Sequence, residues 1–295
     1  MKTLSLSDKD KAFKLANSLI LTLIVLLILV PMVYILAASF MEPTVLLNQG
    51  ISFNPDHWTF EGYRRVLSDS TIFRGFLNSI MYSVGFGVMN VLVTTMAAYP
   101  ITRKYLLFKK PLYIYFLITM FFGGGLVPTY LLIKNLGLLD TPWALILPGC
   151  FSVGNLVLTS VFMNSLPNEM MEAAKIDGAN DIQIFFKIVL PLSKPIMFVV
   201  FLYSFVGMWN SYFDAMIYIK SSNLEPLQLI LRRILIQNQP DMNMVGAQTL
   251  MAEMKQVAEL LKYATIVVSS LPLLIMYPFF QKYFEEGVVL GAIKG

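Results

Sequence analysis

Residues 166–191 read Leu166-Pro-Asn-Glu169-Met-Met-Glu172-Ala-Ala-Lys175-Ile-Asp177-Gly178-Ala-Asn-Asp181-Ile-Gln-Ile184-Phe-Phe-Lys-Ile188-Val-Leu190-Pro191. The pattern predicts two short amphipathic helices around a glycine turn. Glu169 and Glu172 fall early in the first helix, where acids complement the positive end of the dipole. Ala173 and Ala174 favour helix and leave a small, close-packing face. Gly178 can take φ > 0 and end that helix. Asp181 is placed to start the second, whose Ile184, Phe185 and Ile188 make one apolar face before Pro191 stops it. Taken alone, such a pair would also suit a helix lying on a membrane surface.

What flanks the segment defines its setting. Residues 141–168 and 195–213 contain no Lys, Arg, Asp or Glu, and neither do 15–41, 75–102, 111–133 and 263–281. These stretches run from 19 to 28 residues. About 20 apolar residues, at ~1.5 Å each, cross a bilayer core. Only 14% of the 295 residues are charged, against about a quarter in an ordinary soluble domain. The composition excludes a soluble α/β enzyme, a disulfide-rich secreted domain and a disordered chain. It points to an all-α integral membrane fold with six transmembrane helices. The expected organisation is an N-tail at 1–15, a first span at 16–40 and an external loop at 41–74. A core at 75–281 follows, with spans at 75–100, 111–133, 142–163, 195–219 and 263–281. The loop 164–194, an external segment 220–262 and a C-tail 282–295 complete it.

The rarer residues mostly exclude chemistry. Cys150, the one cysteine, cannot form an internal disulfide. His57, the one histidine, lies far from any span, which argues against a histidine-rich metal site or an embedded Ser/His protease. No metal-binding or catalytic residue is proposed, and a net charge of +4 does not suggest nucleic acid. The run 19–40 is longer than the ~7–15-residue core of a signal peptide, so the first span is expected to be retained.

Lys and Arg collect in short cytoplasmic segments. The N-tail has Lys2, Lys9, Lys11 and Lys14, and the link after the second span has Arg103, Lys104, Lys109 and Lys110 with no acid. Both termini and the 164–194 loop are therefore expected in the cytoplasm, and 41–74, 134–142 and 220–262 outside. The last carries five basic residues, but longer translocated loops follow the rule poorly. Pro31, Pro272, Gly85, Gly87 and the Gly123-Gly124-Gly125 triplet before Pro128 interrupt the spans. Each either allows close helix packing or marks a break that lines a path. No repeat doubles the six spans, so a second membrane subunit is expected to complete a cavity.

Glu172-Ala173-Ala174, three residues, Gly178, nine residues, Ile188, one residue, Leu190-Pro191 resembles the EAA loop of ABC importer permeases. The resemblance implies the type I permease fold. It also implies that the loop is the coupling helix docking in a cleft of an ATP-hydrolysing subunit, with Glu172 facing a basic residue there. Asp177, Gly178, Ile188, Leu190 and Pro191 belong to the same coupling set. The run 172–179 is similar to the carbohydrate-uptake branch, especially the second permease of maltose-type systems. The tail ending Gly291-Ala-Ile-Lys294-Gly295, the external run Pro55–Tyr63, Asn78-Ser79 and Trp209-Asn210 resemble the same group, and the Phe122–Pro128 segment resembles permeases for complex plant or host oligosaccharides served by a lipoprotein receptor, so the likeness covers nearly the whole chain. It implies that Gly291, Lys294 and Gly295 approach the ATPases. The implied partners are a homologous permease in a heterodimer, two ATP-binding subunits, an extracytoplasmic sugar-binding protein and membrane lipid. The tail lacks the G-x-x-x-x-G-K spacing of a phosphate-binding loop. ATP and Mg are thus expected on the partner, with no cofactor in this chain.

Asp214 follows nineteen uncharged residues after Lys194. At ~1.5 Å per residue it lies roughly 30 Å along a helix, near the outer interface. It is either a polar contact in an outer vestibule or a solvated helix end. Trp209, Asn210 and Tyr212 join it as a candidate substrate path, since aromatics and amides suit sugars. An interfacial aromatic belt and an interhelical amide are the alternatives. Gln237–Val245 is the candidate outer tip, with a helix expected around 252–261. Arg232-Arg233 would favour acidic sugars, or contact a receptor or lipid headgroups. The reading is a plasma-membrane permease subunit importing oligosaccharides. Its rivals are a permease for a polyamine or phosphonate and a membrane-embedded enzyme.

Overall fold

The structure, a computed structural model, describes residues 8–103, 105–237, 258–259, 261–278 and 281. Gly291, Lys294, Gly295, the outer tip beyond Gln237 and most of the helix expected around 252–261 lie outside them. Two compact units emerge, Met1–Asp69 with Ile234–Ser270, and Ser70–Arg233 with Leu271–Gly295.

In the first unit, helix Asp8–Ala38 carries Pro31 in its interior and exposes an apolar run, as a lipid-facing helix must. Short elements follow at Pro43–Gln49, Pro55–His57 and Glu61–Ser68. An antiparallel bridge pairs Met41 with Trp58. Ser39 and Tyr63 share a 2.6 Å hydroxyl contact, and His57 Nδ1 lies 2.9 Å from Ser52 Oγ.

The second unit is organised by helix Ser70–Thr102, against which helices Val153–Ser165 and Lys194–Trp209 pack. Small residues permit the approach. A Cβ on Gly87 would stand 2.8 Å from the Phe201 ring, and one on Gly75 would collide with Ile230 Cδ1. The end of this helix near Asn78 is tied by polar contacts. Asn78 Nδ2 donates to the carbonyls of Asn223 and Glu225 at 2.8 and 3.0 Å. Tyr82 donates to Leu224 O at 2.9 Å, and Ser79 Oγ accepts from Leu227 N at 2.8 Å. Asn78-Ser79, noted in the sequence only for its likeness, thus anchors the chain at 223–227.

The charge-free stretches do not each become one straight helix. Among the described residues, Phe13–Ala38, Ser70–Thr102 and Leu261–Pro278 are long and apolar enough to cross a bilayer. The stretch 111–133 divides into Lys109–Phe121 and Leu126–Asn135, bent by 108°. The break is Phe122–Gly125, where Gly125 takes φ +83°, a conformation that a β-carbon disfavours. The fourth stretch divides into Trp143–Ile146 and Val153–Ser165 around Pro148-Gly149. The fifth divides into Lys194–Trp209 and Phe213–Tyr218 at Asn210–Tyr212. Broken backbone at membrane depth is stable where protein or a polar cavity satisfies its freed groups.

Asp140 ties down the chain where helix Phe213–Tyr218 ends. It sits at φ 58°, donates its N–H to Tyr218 O at 2.8 Å, and accepts from the amides of Lys220 and Ser221 at 2.9 and 2.8 Å. The Ser221 hydroxyl adds a 2.5 Å bond. These donors, Ser221 first, hold the carboxyl below the usual carboxylate range. A depressed carboxylate contributes stability above its unfolded-state pKa and loses it as pH falls through the folded value. Asp140→Ala should therefore lower the melting temperature at neutral pH. Its deficit against wild type should shrink as pH falls below about 4. A deficit constant across that range, read in matched detergent melts, would disprove the clamp. Gly87→Val should cost about 1–3 kcal/mol by overpacking, whereas Gly123→Ala, with open space around it, should melt within about 0.5 kcal/mol of wild type.

Candidate functional site: the 166–192 loop and the polar cavity

The loop folds as two helices around Gly178. The first, Asn168–Ile176, ends at Asp177, and Gly178 follows at φ +84° with no heavy atom within 4 Å of its would-be Cβ. The second starts at Asp181, as expected, with Asn180 as its cap. Its side chain accepts from Gln183 N at 2.9 Å, and its own N–H donates to Gln183 Oε1 at 3.0 Å.

Pro191 does not stop this helix, contrary to the sequence expectation. Phe185–Val189 widens into a π turn in which Leu190 N–H reaches Phe185 O, five residues back. The wider turn accommodates a proline that an α-helix would reject. The rod continues to Leu192, and a 74° bend separates it from helix Lys194–Trp209. The π turn also shifts the buried face to Ile184, Phe185 and Val189, leaving Ile188 half-buried.

Met171, Ile184, Phe185 and Val189 pack with Ala98, Tyr99 and Ile101 of helix Ser70–Thr102 and with Leu156 and Met163 of helix Val153–Ser165. Tyr99 and Phe185 meet with ring centroids 5.1 Å apart. On the other side Glu172, Ala173, Asp177 and Gly178 are exposed, while Ala174 and Leu190 pack back against the core. Ile176 and Ile182 are 86% and 69% exposed, too apolar for a face meant for water alone.

A cavity of ≈ 380 Å³ opens beside the loop, lined by Arg103, Tyr105, Lys109, Glu172 and Lys175 among others. Arg103 stacks over Tyr99 at 4.8 Å and donates to Met171 Sδ at 2.7 Å. Tyr105 donates to Asp181 Oδ1 at 2.6 Å. Partial burial, and then that bond, hold the Tyr105 hydroxyl well above the usual phenol range. The sequence reading counted Arg103 for orientation only and passed over Tyr105; their partners are 68 and 76 residues away.

A second cavity, ≈ 520 Å³, lies among helices Ser70–Thr102, Lys194–Trp209 and Phe213–Tyr218 and the 144–155 segment. Asn90, Asn155, Tyr203, Ser204, Ser211 and Asp214 give it polar walls. Asn155 Nδ2 donates to Asn90 Oδ1 at 2.9 Å and Ser204 Oγ at 3.4 Å, and Thr94 donates to Asn90 Oδ1 at 3.2 Å. An amide in an apolar span is itself a sequence signal. A search confined to formal charges overlooks Asn90 and Asn155.

Of the four residues expected on a substrate path, the structure puts Asp214 alone on this cavity wall. The break at Asn210–Tyr212 places it in the first turn of a separate short helix, not roughly 30 Å along a straight one. Trp209 is 1% exposed, stacked on Phe205 and edge-on to Phe76, so it is core. Asn210 donates to Val206 O at 3.0 Å, and Tyr212 stacks with Arg232 at 5.0 Å. Arg233 pairs with Glu225, so both arginines are engaged within the chain.

Comparisons with known proteins agree with this architecture. Residues 88–290 match the family described as "Binding-protein-dependent transport system inner membrane component". The polygalacturonan/rhamnogalacturonan transport system permease protein YtcP of Bacillus subtilis (strain 168) is 36% identical over 97% of this chain and 100% of its own. The diacetylchitobiose uptake system permease protein NgcG of Streptomyces coelicolor is 30% identical over 98% of this chain and 91% of its own. A solved bacterial ABC transporter involved in import of the acidic polysaccharide alginate contains a chain that superposes with TM-score 0.83. That chain is 29% identical, over 96% of this chain and 100% of the other. The protein is an all-α membrane permease, not an enzyme, and belongs to the binding-protein-dependent transport system inner membrane component family of ABC importers.

Proposed function

We propose that this chain is one of two transmembrane subunits of an ATP-driven importer for oligosaccharides. It pairs with a homologous permease, two ATP-binding subunits that hold ATP and Mg, and an extracytoplasmic sugar-binding protein. Both termini and the 166–192 loop face the cytoplasm. The carbohydrate cargoes in the names of its relatives support this reading over a polyamine or phosphonate.

The observation that carries the coupling role is the two-sidedness of the loop. One side is buried on the ends of two helices. The other offers Glu172, Ala173, Asp177 and two exposed isoleucines to a partner. ATP binding closes the nucleotide subunits and carries the loop with them. Because the loop is packed on helices Ser70–Thr102 and Val153–Ser165, the movement passes into the bundle and turns it from inward-facing to outward-facing. The receptor then releases sugar, and hydrolysis resets the cycle. Asp214, Ser211, Tyr203 and Asn155 form this subunit's share of the sugar path, with Asn210 and Tyr212 at the break beside it, while Trp209 is packed in the core against Phe205 and Phe76.

Glu172→Lys reverses the charge offered to the ATPase, and Gly178→Leu forces a β-carbon into a left-handed turn at roughly 1–2 kcal/mol. Both variants should insert in the membrane at wild-type levels yet lose uptake. Normal transport by both would refute the coupling assignment. Titrating the cognate receptor with an oligosaccharide panel should show sugar binding. A receptor that ignores the whole panel and binds a polyamine or phosphonate would replace the cargo.

A further inference from the structure

Gly178 is a weak point in a lever. It has φ +84° and nothing near its would-be Cβ, and it joins two short helices of which only the second is buried over most of its inner face. A push on Asn168–Ile176 could be absorbed by bending there. Three side chains bridge the turn. Lys175, before it, and Asp181, after it, lie 3.6 Å apart. Both also meet Tyr105, which comes from the link beyond helix Ser70–Thr102. The Tyr105 hydroxyl donates to Asp181 at 2.6 Å, and Lys175 Nζ lies 4.2 Å from the centre of its ring. Arg103, two residues earlier, holds Met171 of the first helix through the 2.7 Å contact to its sulfur.

We infer that Tyr105 is a positioning residue that locks the Gly178 turn, so both halves of the loop move as one lever with the cytoplasmic end of helix Ser70–Thr102; this rests on the coupling role proposed above. Lys175 and Asp181 are about half exposed, and exposed polar pairs add little to folding stability. The arrangement is better suited to setting an angle than to holding the fold together. Tyr105 is the one group of the three contributed from outside the loop, so it both closes the hinge and attaches it to the bundle.

The test uses the assembled importer purified through a tag on this chain, with hydrogen exchange read with and without vanadate-trapped nucleotide. Tyr105→Phe removes the hydroxyl and keeps the ring. It should raise exchange of the 176–181 amides about tenfold, while 184–192, held by apolar burial, stays within about threefold of wild type. Asp181→Asn keeps an acceptor and should also stay within about threefold at 176–181. Wild-type exchange at 176–181 in Tyr105→Phe overturns the inference, and so does an increase spread evenly over the whole loop. In proteoliposomes, a partial polygalacturonan hydrolysate serves as transport probe. Sugar taken up per ATP hydrolysed should fall at least threefold in Tyr105→Phe. A purely structural tyrosine would lower uptake and hydrolysis together, and an unchanged ratio alongside a faster-exchanging turn overturns the lever. A wild-type importer that ignores the probe counts against this cargo, and the exchange result still decides the role of Tyr105.

Discussion

Burial of Ile184, Phe185 and Val189 on the ends of two membrane helices is the contact on which the architecture turns. A loop at a bilayer surface can lie flat among headgroups or dock on the protein. Removing apolar side chains from water favours docking by roughly 1.5–3 kcal/mol for each fully buried large residue. Here Tyr99, Ala98 and Ile101 present the receiving surface, and Met163 closes it from the neighbouring helix. The loop therefore cannot shift far without disturbing helices Ser70–Thr102 and Val153–Ser165. A densely packed contact of this kind transmits displacement instead of absorbing it.

Regular helix gives way in three of the charge-free stretches. The Gly-rich break in the third stretch, the Pro148-Gly149 interruption in the fourth and the Asn210–Tyr212 break in the fifth open the backbone. The last two border the cavity, whose walls include Pro148, Gly149, Ser211 and Asp214. Freed backbone groups in a membrane need polar partners or water. Asn90 supplies one such partner, donating to Gly149 O at 3.3 Å, and its carbonyl is in turn held by Asn155 and Thr94. A polar cavity and a broken helix thus require one another, and the same amides that line the cavity also stabilise its walls.

The π turn at Phe185–Val189 shows a similar economy in the 166–192 loop. Pro191 removes a donor and crowds the preceding turn. One five-residue hydrogen bond relieves that crowding and rotates Val189 inward. The rod then bends by 74° into helix Lys194–Trp209, so the motif's proline lies inside the rod and not at its end.

Much of this was legible in the residues. Absence of charge over six stretches is a local property that the bilayer enforces on any spanning segment, so membrane class needed no tertiary information. The spacing from Glu172 to Pro191 likewise carries the family, since a turn at Gly178 and a small face at Ala173 are requirements of the local backbone. Breaks, buried faces and partners were not legible. A run of apolar residues reads the same whether its helix is straight or bent by 108°. Trp209 is a candidate sugar contact by residue type, yet Phe205 and Phe76 enclose it as core, and nothing local marks Tyr105, to which the fold brings Asp181 from 76 positions away. Sequence by itself determined the solvent in which the chain folds and the machine to which it belongs, because both are set by residue type at fixed spacing. Only the tertiary structure decided which polar groups share a cavity and which aromatic is core, because contacts between distant segments follow from packing.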